Sequence, residues 1–499
     1  MKATGEQIQA IRTQDRALTV EAGAGTGKTW VLVERFIHLL EGHPDWPIDS
    51  LIAVTFTEKA TREMRSRIRQ AVEDRAAQAP LDSPWRERRR QLERLQISTI
   101  HGLCARILRE NAIAAGIDPY FEVLEEHEAD LLKEEAIQNT ISQLVEEDSP
   151  ALDLLVSISV RDLKDEMSSL LARRASVQRL FRTLPGAEAL LEGWKENVQA
   201  MRETQWQEQL CQNPEFRATL DDLAGVDILD PEDKLAPSVA AAQNGIALTK
   251  AGDHPGAVEA WLPIGLKGGR QDNWGDKALL AGLKEQLGIL RSVAQDLEKS
   301  GFTERFGEAD EAAAQALQLW KMLWERLDDH YNRLKDAGQF LDFDDLELLT
   351  EDLLYRESKN ERLAAFLAGI NHLMVDEFQD TNAVQRNIVY ALAHPEDGGR
   401  LFVVGDAKQS IYRFRQAQVS VFNQTVQEVR AATGCDPVPL SRSFRTHSRL
   451  VEALNHLFDH VLQPPQQLRR RWNWSWCLVR TVRMNPSAPK MAGSSKRNS

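Results

Sequence analysis

The segment whose residues most clearly point to a chemical function is the glycine-rich run Ala22-Gly23-Ala24-Gly25-Thr26-Gly27-Lys28-Thr29. It follows an apolar run that predicts a strand and precedes a pattern that predicts a helix, which is the context of a phosphate-binding P-loop. Glycines let successive backbone N–H groups converge on phosphate oxygens, and the helix N-terminus adds positive potential. Lys28 would reach the β and γ phosphates of a nucleotide, and the Thr29 hydroxyl would bind Mg²⁺. The Lys-Thr pair disfavours the alternative, a strand–helix turn without ligand.

A P-loop requires an acidic partner, and Leu373-Met374-Val375-Asp376-Glu377 supplies one at the end of an apolar run. Asp376 is placed to hold Mg²⁺, and Glu377 is placed to orient and deprotonate an attacking water. Two adjacent acids at a strand end are more often only a solvated strand end. The combination with the P-loop is what predicts nucleotide hydrolysis.

Strand and helix patterns alternate on both sides of a long helical region. Strands are predicted at 17–22, 51–57, 372–377 and 400–406, and this alternation indicates an α/β fold with a parallel sheet. Residues 116–335 are rich in Leu, Ala, Glu and Arg at helical spacing, which predicts a large helical insertion. Within it, residues near 230–275 carry Pro, Gly and Asp and are predicted to form loops.

The composition sets wide limits on function. The 499 residues are 42% hydrophobic and 27% charged, which is ordinary for a globular protein of several domains. The polar N-terminus lacks the apolar core of a signal peptide, and no run approaches a membrane span, so a cytoplasmic protein without a membrane partner is expected. Four widely spaced cysteines exclude a CxxC metal site. The net charge of -14 disfavours nucleic acid only weakly, because a strand can bind in one local groove.

An ordered set of motifs resembles the superfamily 1A helicases, the UvrD/Rep group, whose fold is a RecA-like P-loop NTPase. The run from Asp376 to Thr381, followed by Gln385, resembles DExQDTxxxQ, and Ala22 in place of Gly is that group's P-loop variant. The other matches are Gln7, Ala53–Ala60 (motif Ia), Ser98–Gly102 (motif Ib), Leu341–Leu346 (FDDL), Val404–Arg415 (motif III) and Leu440–Thr446 (motif IV). The long insertion, VGDAKQSIYRFR and TIHGLC favour the RecB/AddA branch, which contains exonuclease V-like helicase–nucleases.

The resemblance implies ATP and Mg²⁺ as cofactors and gives roles to further residues. Gln7 would read adenine, and Gln409 would couple the γ phosphate to a strand-binding surface. Arg445 would act as an arginine finger on the transferring phosphoryl group; the alternative for it is a surface salt bridge.

Four residues would line a single-strand groove, where aromatic faces stack on bases without sequence preference. They are Thr55, Phe56, His101 and Tyr412. For Phe56, simple packing is an equal alternative. A basic run from Arg86 to Arg94 could touch phosphate, but its two glutamates favour a solvated helix face.

The resemblance also divides the chain. It implies a RecA-like domain of residues 1–115 and 336–435, an insertion of residues 116–335, and the start of a second RecA-like domain at 436–462. From residue 463 a basic tail without Asp or Glu follows, and its abrupt change in composition favours a frameshifted C-terminus over a nucleic-acid-binding tail. Motif III ends FRQA at 414–417 rather than FRGA, and motifs V and VI and a nuclease domain are not found.

The expected function is an ATP-dependent DNA helicase in repair or recombination, which translocates 3′ to 5′ on single-stranded DNA and unwinds duplex DNA from its ends. A helicase–nuclease partner subunit is also expected. The alternative is a truncated ATP-binding fragment without helicase activity. A P-loop kinase or metabolic NTPase is disfavoured by the QDT and motif III elements.

Overall fold

The structure is a computed structural model that describes residues 3–80, 82–156, 158–356, 361–413 and 417–461. The predicted tail at 463–499 and the altered end of motif III at 414–416 lie outside the described residues. The chain divides into two compact units. The first comprises Met1–Gln138, Ser168–Val177 and Asp329–Ser499, and the second comprises Asn139–Met167 and Gln178–Asp328. The domain boundaries at 115, 335 and 435 stay predictions.

The first unit is built on a six-stranded sheet in which every strand pair is parallel. Its strands are β1 (Leu18–Ala22), β2 (Leu51–Thr55), β3 (Gln96–Thr99), β6 (His372–Val375), β7 (Leu401–Gly405) and β8 (Val438–Leu440). Their order is β3-β2-β6-β7-β1-β8, and β4 (Glu122–Val123) and β5 (Phe340–Leu341) form a separate parallel pair. The predicted α/β fold with a parallel sheet is confirmed.

Apart from short 3-10 and π-helical turns, α-helices supply the remaining regular structure of the described residues. Along the chain they are α1 (Gly5–Arg12), α2 (Lys28–Gly42), α3 (Glu58–Gln78), α4 (Pro84–Arg90), α5 (Ile100–Glu110), α6 (Ala112–Ala115), α7 (Glu126–Glu146), α8 (Val160–Leu171), α9 (Arg174–Thr183), α10 (Ala187–Gln205), α11 (Pro214–Ala224), α12 (Ala236–Lys250), α13 (His254–Trp261), α14 (Gln271–Trp274), α15 (Lys277–Lys299), α16 (Glu308–Gly338), α17 (Phe343–Arg356), α18 (Glu361–Ala368), α19 (Ala383–Leu392), α20 (Val419–Thr433) and α21 (Ser448–Val461). None of these helices is both long and apolar enough to cross a membrane.

Both faces of the sheet are buried, which explains why its central strands are mostly apolar. In β2, Ile52 and Val54 belong to one hydrophobic cluster, whereas Leu51 and Ala53 belong to another. The first cluster contains side chains from α5, α17, α19 and α20, and the second contains side chains from α2 and α3. A parallel sheet covered on both sides requires this continuous apolar sequence.

The second unit is helical and has its own aromatic core. Trp206 and Trp261 are fully buried there, with ring centroids 6.0 Å apart. The prediction of loops near 230–275 was wrong, because α12 and α13 occupy much of that segment. Their prolines lie in the first helical turn, where the missing N–H costs no hydrogen bond, and Asp253 caps α13 by accepting from the Gly256 N–H. Pro and Asp therefore mark helix starts here.

Candidate nucleotide-binding site

The parallel sheet brings the carboxyl ends of its strands to one edge, and the predicted motifs follow these ends. The P-loop follows β1, Asp376 follows β6, Asp406 follows β7 and Ser441 follows β8. Strand β7 lies between β1 and β6, so one strand separates the P-loop from the acidic pair. This edge is where open parallel sheets bind their ligands.

The P-loop adopts a conformation that depends on glycine. Gly25 and Gly27 have φ values of 75° and 88°, in the left-handed region that residues with a side chain rarely adopt. Inside the loop, the Thr26 hydroxyl donates to the Gly23 carbonyl at 2.8 Å. Gly27 is the N-cap of α2 and offers no side chain to the first N–H groups of the helix. These groups, with Thr29 in the first turn, are suited to bind an anion.

An ion pair joins the P-loop to the acidic motif. Lys28 Nζ lies 2.5 Å from Glu377 Oε2, and the side chains are 11% and 34% exposed. Gln379 Nε2 donates to the same oxygen at 2.9 Å, while Gln379 Oε1 accepts from the Asp406 N–H at 2.9 Å. The sequence motifs alone gave no role to Gln379 or Asp406. Asp406 directly follows the end of β7, and Gln379 lies in the short turn after β6; these positions are the signal that could have identified them.

Asp376 is suited to hold a divalent cation. It is 7% exposed, and its backbone N–H donates to the Val54 carbonyl at 2.9 Å, which holds it in register with β2. Burial, with the added charge of Glu377, raises the pKa of Asp376 to about 7 against the opposing charge of Lys28. A buried carboxylate with an unfavourable charge fits Mg²⁺, which would relieve that cost and prefers oxygen ligands.

Gln7 contacts the P-loop from α1. Its Nε2 donates to the Thr26 carbonyl at 3.1 Å, and its Oε1 accepts from the Thr4 N–H at 3.0 Å as part of the capping box of α1. Gln7 is 4% exposed. The structure therefore places Gln7 beside the nucleotide loop, and its contact with adenine stays a prediction.

Gln409 lies between the ends of β7 and β1. Its Nε2 donates to Asp406 Oδ2 at 2.7 Å and to the Ala22 carbonyl at 3.4 Å. An ideal Cβ on Gly23 would lie 3.9 Å from Asp406 Oδ2. Gln409 is thus next to the P-loop, where contact with a γ phosphate was predicted.

Motif IV packs directly on the P-loop. The Phe444 N–H donates to the Gly25 carbonyl at 2.8 Å, and the Ser443 hydroxyl donates to the Ala24 carbonyl at 3.3 Å. An ideal Cβ on Gly25 would lie only 2.5 Å from Arg445 Cβ. Arg445 is exposed and forms no ion pair within the described part of the chain, which disfavours the salt-bridge alternative.

The residues predicted to line a strand groove occupy two places. Phe56 and Tyr412, which follow β2 and β7, have ring centroids 4.7 Å apart. His101 lies at the start of α5, and its ring is 4.7 Å from that of Phe343. Thr55 is 2% exposed, and its hydroxyl lies 2.6 Å from the Thr61 hydroxyl. Thr55 therefore orders its own loop, and its contact with DNA stays a prediction.

The basic run 86–94 has structural partners. Arg88 is 4% exposed and donates to the His43 carbonyl at 2.9 Å. Arg90 pairs with Glu87 at 3.1 Å, and Arg94 pairs with Asp49. These contacts disfavour phosphate binding by the run, although Arg88 is buried rather than solvated.

Comparison with known proteins points to one family. The model of the UvrD/REP helicase N-terminal domain matches residues 3–430. An ATP-dependent helicase/nuclease subunit of Oceanobacillus iheyensis is 29% identical over 92% of this chain and 39% of its own length. The proteins of the same name from Exiguobacterium sibiricum and Syntrophomonas wolfei are 28% and 29% identical over the same share of this chain, and 40% and 38% of their lengths are covered. The chain thus spans about two fifths of these relatives.

Proposed function

The chain belongs to the UvrD/REP helicase family, and we propose that it acts as an ATP-dependent DNA helicase. ATP hydrolysis drives 3′ to 5′ translocation on single-stranded DNA and duplex unwinding in repair or recombination. The observation that carries the proposal is the 2.5 Å ion pair between Lys28 and Glu377. It joins the P-loop to the acidic motif at the ligand-binding edge of the sheet.

The ATP site is assigned residue by residue. The backbone from Gly23 to Gly27 and the first turn of α2 bind the phosphates. Thr29 and Asp376 would hold Mg²⁺, whose positive charge would offset the charge on the phosphates. Because Lys28 is paired with Glu377, its approach to the phosphates frees the Glu377 carboxylate. Glu377 then orients the attacking water and accepts its proton.

Three further residues complete the ATP site. Gln409, held between Asp406 and Ala22, senses the γ phosphate. Arg445, whose segment packs on Gly25, donates to the transferring phosphoryl group as its charge develops. Gln7 reads adenine from its position beside Thr26.

Single-stranded DNA is the proposed macromolecular partner. The half-buried Phe56–Tyr412 pair offers two aromatic faces on loops that follow β2 and β7. Stacking on a base is worth about 1–3 kcal/mol for each aromatic residue. His101 provides a second contact, and Thr55 orders the loop that carries Phe56. Because β7 also leads to Gln409, strand contact and nucleotide sensing share one segment.

A helicase–nuclease assembly is the proposed setting. The matched relatives are each named as one subunit of an ATP-dependent helicase/nuclease. The proposed partners therefore include duplex DNA ends and a further helicase–nuclease subunit, and the proposed location is the cytoplasm.

Strand displacement tests this proposal. A labelled duplex with a 3′ single-stranded tail, one with a 5′ tail and a blunt duplex are each incubated with the chain, ATP and Mg²⁺. The 3′-tailed duplex should be unwound faster than the 5′-tailed one, and Lys28→Ala should unwind neither. Equal rates on all three substrates, or unwinding by Lys28→Ala, would refute the proposal.

A further inference from the structure

A buried glutamate on α17 connects two motifs that the proposed function uses separately. Glu347 is 4% exposed, and its carboxylate accepts three side-chain hydrogen bonds. Its Oε1 accepts from His101 Nε2 at 2.9 Å and from Gln385 Nε2 at 2.6 Å, and its Oε2 accepts from Asn382 Nδ2 at 2.9 Å. One side chain therefore joins the start of α5 to the start of α19.

The carboxylate is held in its ionised form. Burial acts to raise the pKa of Glu347, but the hydrogen bond and electrostatic attraction of His101, with the hydrogen bonds from Asn382 and Gln385, outweigh it and hold that pKa below its ordinary value. An ionised carboxylate can only accept hydrogen bonds, so His101 Nε2 carries the hydrogen. Glu347 thus fixes which ring nitrogen of His101 is engaged within the protein.

The same helix, α17, makes a second contact with the His101 ring. Phe343 lies one helical turn before Glu347, on the same face of α17. Its ring centroid is 4.7 Å from that of His101, and the ring planes are inclined at 44°. Phe343 is 43% exposed, and the side chain of His101 is 32% exposed. The imidazole is therefore held by α17 while part of it stays open to solvent.

At its other end the network reaches the acidic motif. Asn382 and Gln385 form the capping box of α19. Asn382 directly follows Thr381, whose hydroxyl donates to the Phe378 carbonyl at 2.7 Å within the turn that follows Glu377. The α19 cap is thereby connected to the segment that carries the proposed general base.

We propose that Glu347 is a positioning residue that couples single-strand binding at His101 to the acidic motif of the ATP site. A strand that moves the His101 ring strains the bond to Glu347, and the cap of α19 responds through Asn382 and Gln385. The inference deepens the proposed function and rests on it.

The test compares Glu347→Gln with Glu351→Gln in the full chain. Glu351 lies one turn further along α17 and accepts from Asn387 Nδ2 at 2.7 Å. It thus links the same two helices without touching His101. ATP turnover is measured against oligo(dT) concentration, and affinity for labelled oligo(dT) is measured by fluorescence anisotropy. In Glu347→Gln the DNA-stimulated part of turnover should fall about tenfold and affinity should weaken about tenfold, the effect of one lost charged hydrogen bond.

The controls separate coupling from a structural effect. Glu351→Gln should change neither quantity, and in a His101→Ala background Glu347→Gln should cause no further loss of affinity. If the glutamine variant does not fold, Glu347→Asp replaces it, because aspartate keeps the buried charge on a shorter side chain. Glu347→Asp should also lower both the DNA-stimulated turnover and the affinity for oligo(dT).

Other outcomes overturn the inference. They are a parallel loss of DNA-free and DNA-stimulated turnover, an equal effect of Glu351→Gln, or further loss in the His101→Ala background. If the unsubstituted chain binds oligo(dT) but hydrolyses no ATP, the proposed function fails. The affinities of the variants for oligo(dT) then show only whether Glu347 positions His101 for strand binding. If it does not bind oligo(dT), both proposals fail.

Discussion

At the scale of single residues, Glu377 is the proposed general base of ATP hydrolysis. Its carboxylate is 2.5 Å from Lys28 Nζ, and its φ of 51° places it in the left-handed region. A residue with a side chain adopts that conformation at a cost of about 1–3 kcal/mol when the surrounding structure enforces it. The hydrogen bond from Gln379 and the ion pair with Lys28 are the contacts that hold the side chain here.

Glu377→Gln should therefore bind ATP yet hydrolyse it about 10²–10⁴-fold more slowly, because the amide cannot accept the proton of the attacking water. Nucleotide affinity and single-turnover hydrolysis measure the two effects. Glu93→Gln, at an exposed ion pair with Arg69, is the matched surface control. Hydrolysis by Glu377→Gln at the unsubstituted rate would remove Glu377 from the proposed mechanism.

The raised pKa of Asp376 leads to a prediction about how stability depends on pH. Its pKa in the folded chain, about 7, lies above the ordinary value of 3.8 because burial disfavours the charge. The folded state therefore holds the proton more tightly than the unfolded state, so the cost of ionised Asp376 is present above pH 7 and disappears as the pH falls toward 4. Asp376→Asn should raise the melting temperature by a few degrees at pH 8 without nucleotide or Mg²⁺.

The stabilisation by Asp376→Asn should shrink at pH 5, where the native carboxyl is largely protonated. Thermal unfolding of both proteins at the two pH values measures this difference. An equal shift at both values would show that the ionised carboxylate is not the source of the effect.

At the scale of elements, the P-loop and motif IV form one packed structure. The segment after β8 donates to the Ala24 and Gly25 carbonyls, and the Ser441 N–H and hydroxyl both donate to Glu6 on α1, at 2.9 and 2.8 Å. The nucleotide loop is thus enclosed by α1 and by the chain leaving the sheet.

Substitution of two glycines of the loop tests this packing, because only one of them lies against motif IV. Gly25 combines a positive φ with only 2.5 Å between an added Cβ and Arg445 Cβ, whereas a Cβ on Gly23 would meet Thr26 at an ordinary 3.7 Å. Gly25→Ala should lower the free energy of unfolding by at least roughly 1–2 kcal/mol, the cost of the left-handed backbone alone. Gly23→Ala should leave it nearly unchanged. Urea denaturation measures both, and equal destabilisation would contradict the described contact.

The elements also show how far the sequence could predict the fold. The four apolar runs at 17–22, 51–57, 372–377 and 400–406 correspond to β1, β2, β6 and β7, because buried central strands need continuous apolar residues. Strands β3 and β8 were not predicted as strands. QIST is polar at alternate positions, and VPL has only three residues and a proline, so neither carries the pattern of a central strand.

For the whole molecule, contacts between distant segments were the least predictable part of the site. The motifs predicted the individual residues, but the hydrogen bond from the Asp406 N–H to Gln379 and the three bonds to Glu347 join segments far apart in the chain. Hydrogen-bond partners of this kind follow from the strand order, which no single motif encodes. The net charge of -14 likewise says nothing about the local surface beside Phe56 and Tyr412.

Nucleotide binding should stabilise the folded chain as a whole. A ligand that binds only the folded state adds about 2.7 kcal/mol at a hundred times its dissociation constant. ATP with Mg²⁺ should therefore raise the melting temperature of Glu377→Gln in proportion to the logarithm of its concentration, and the added substitution Lys28→Ala should abolish the rise. A rise that survives Lys28→Ala would place the nucleotide elsewhere.

The proposed function requires that the P-loop edge hydrolyses ATP in response to single-stranded DNA. Its most direct test is steady-state ATP hydrolysis by the purified chain with and without oligo(dT), beside Lys28→Ala and the surface control Lys299→Ala. Lys299 is 76% exposed and pairs only with Asp296 among the ion pairs of the described residues. DNA should raise turnover in the unsubstituted chain and in Lys299→Ala, whereas Lys28→Ala should show no turnover. ATP turnover that DNA does not change, or that persists in Lys28→Ala, would contradict the proposed function.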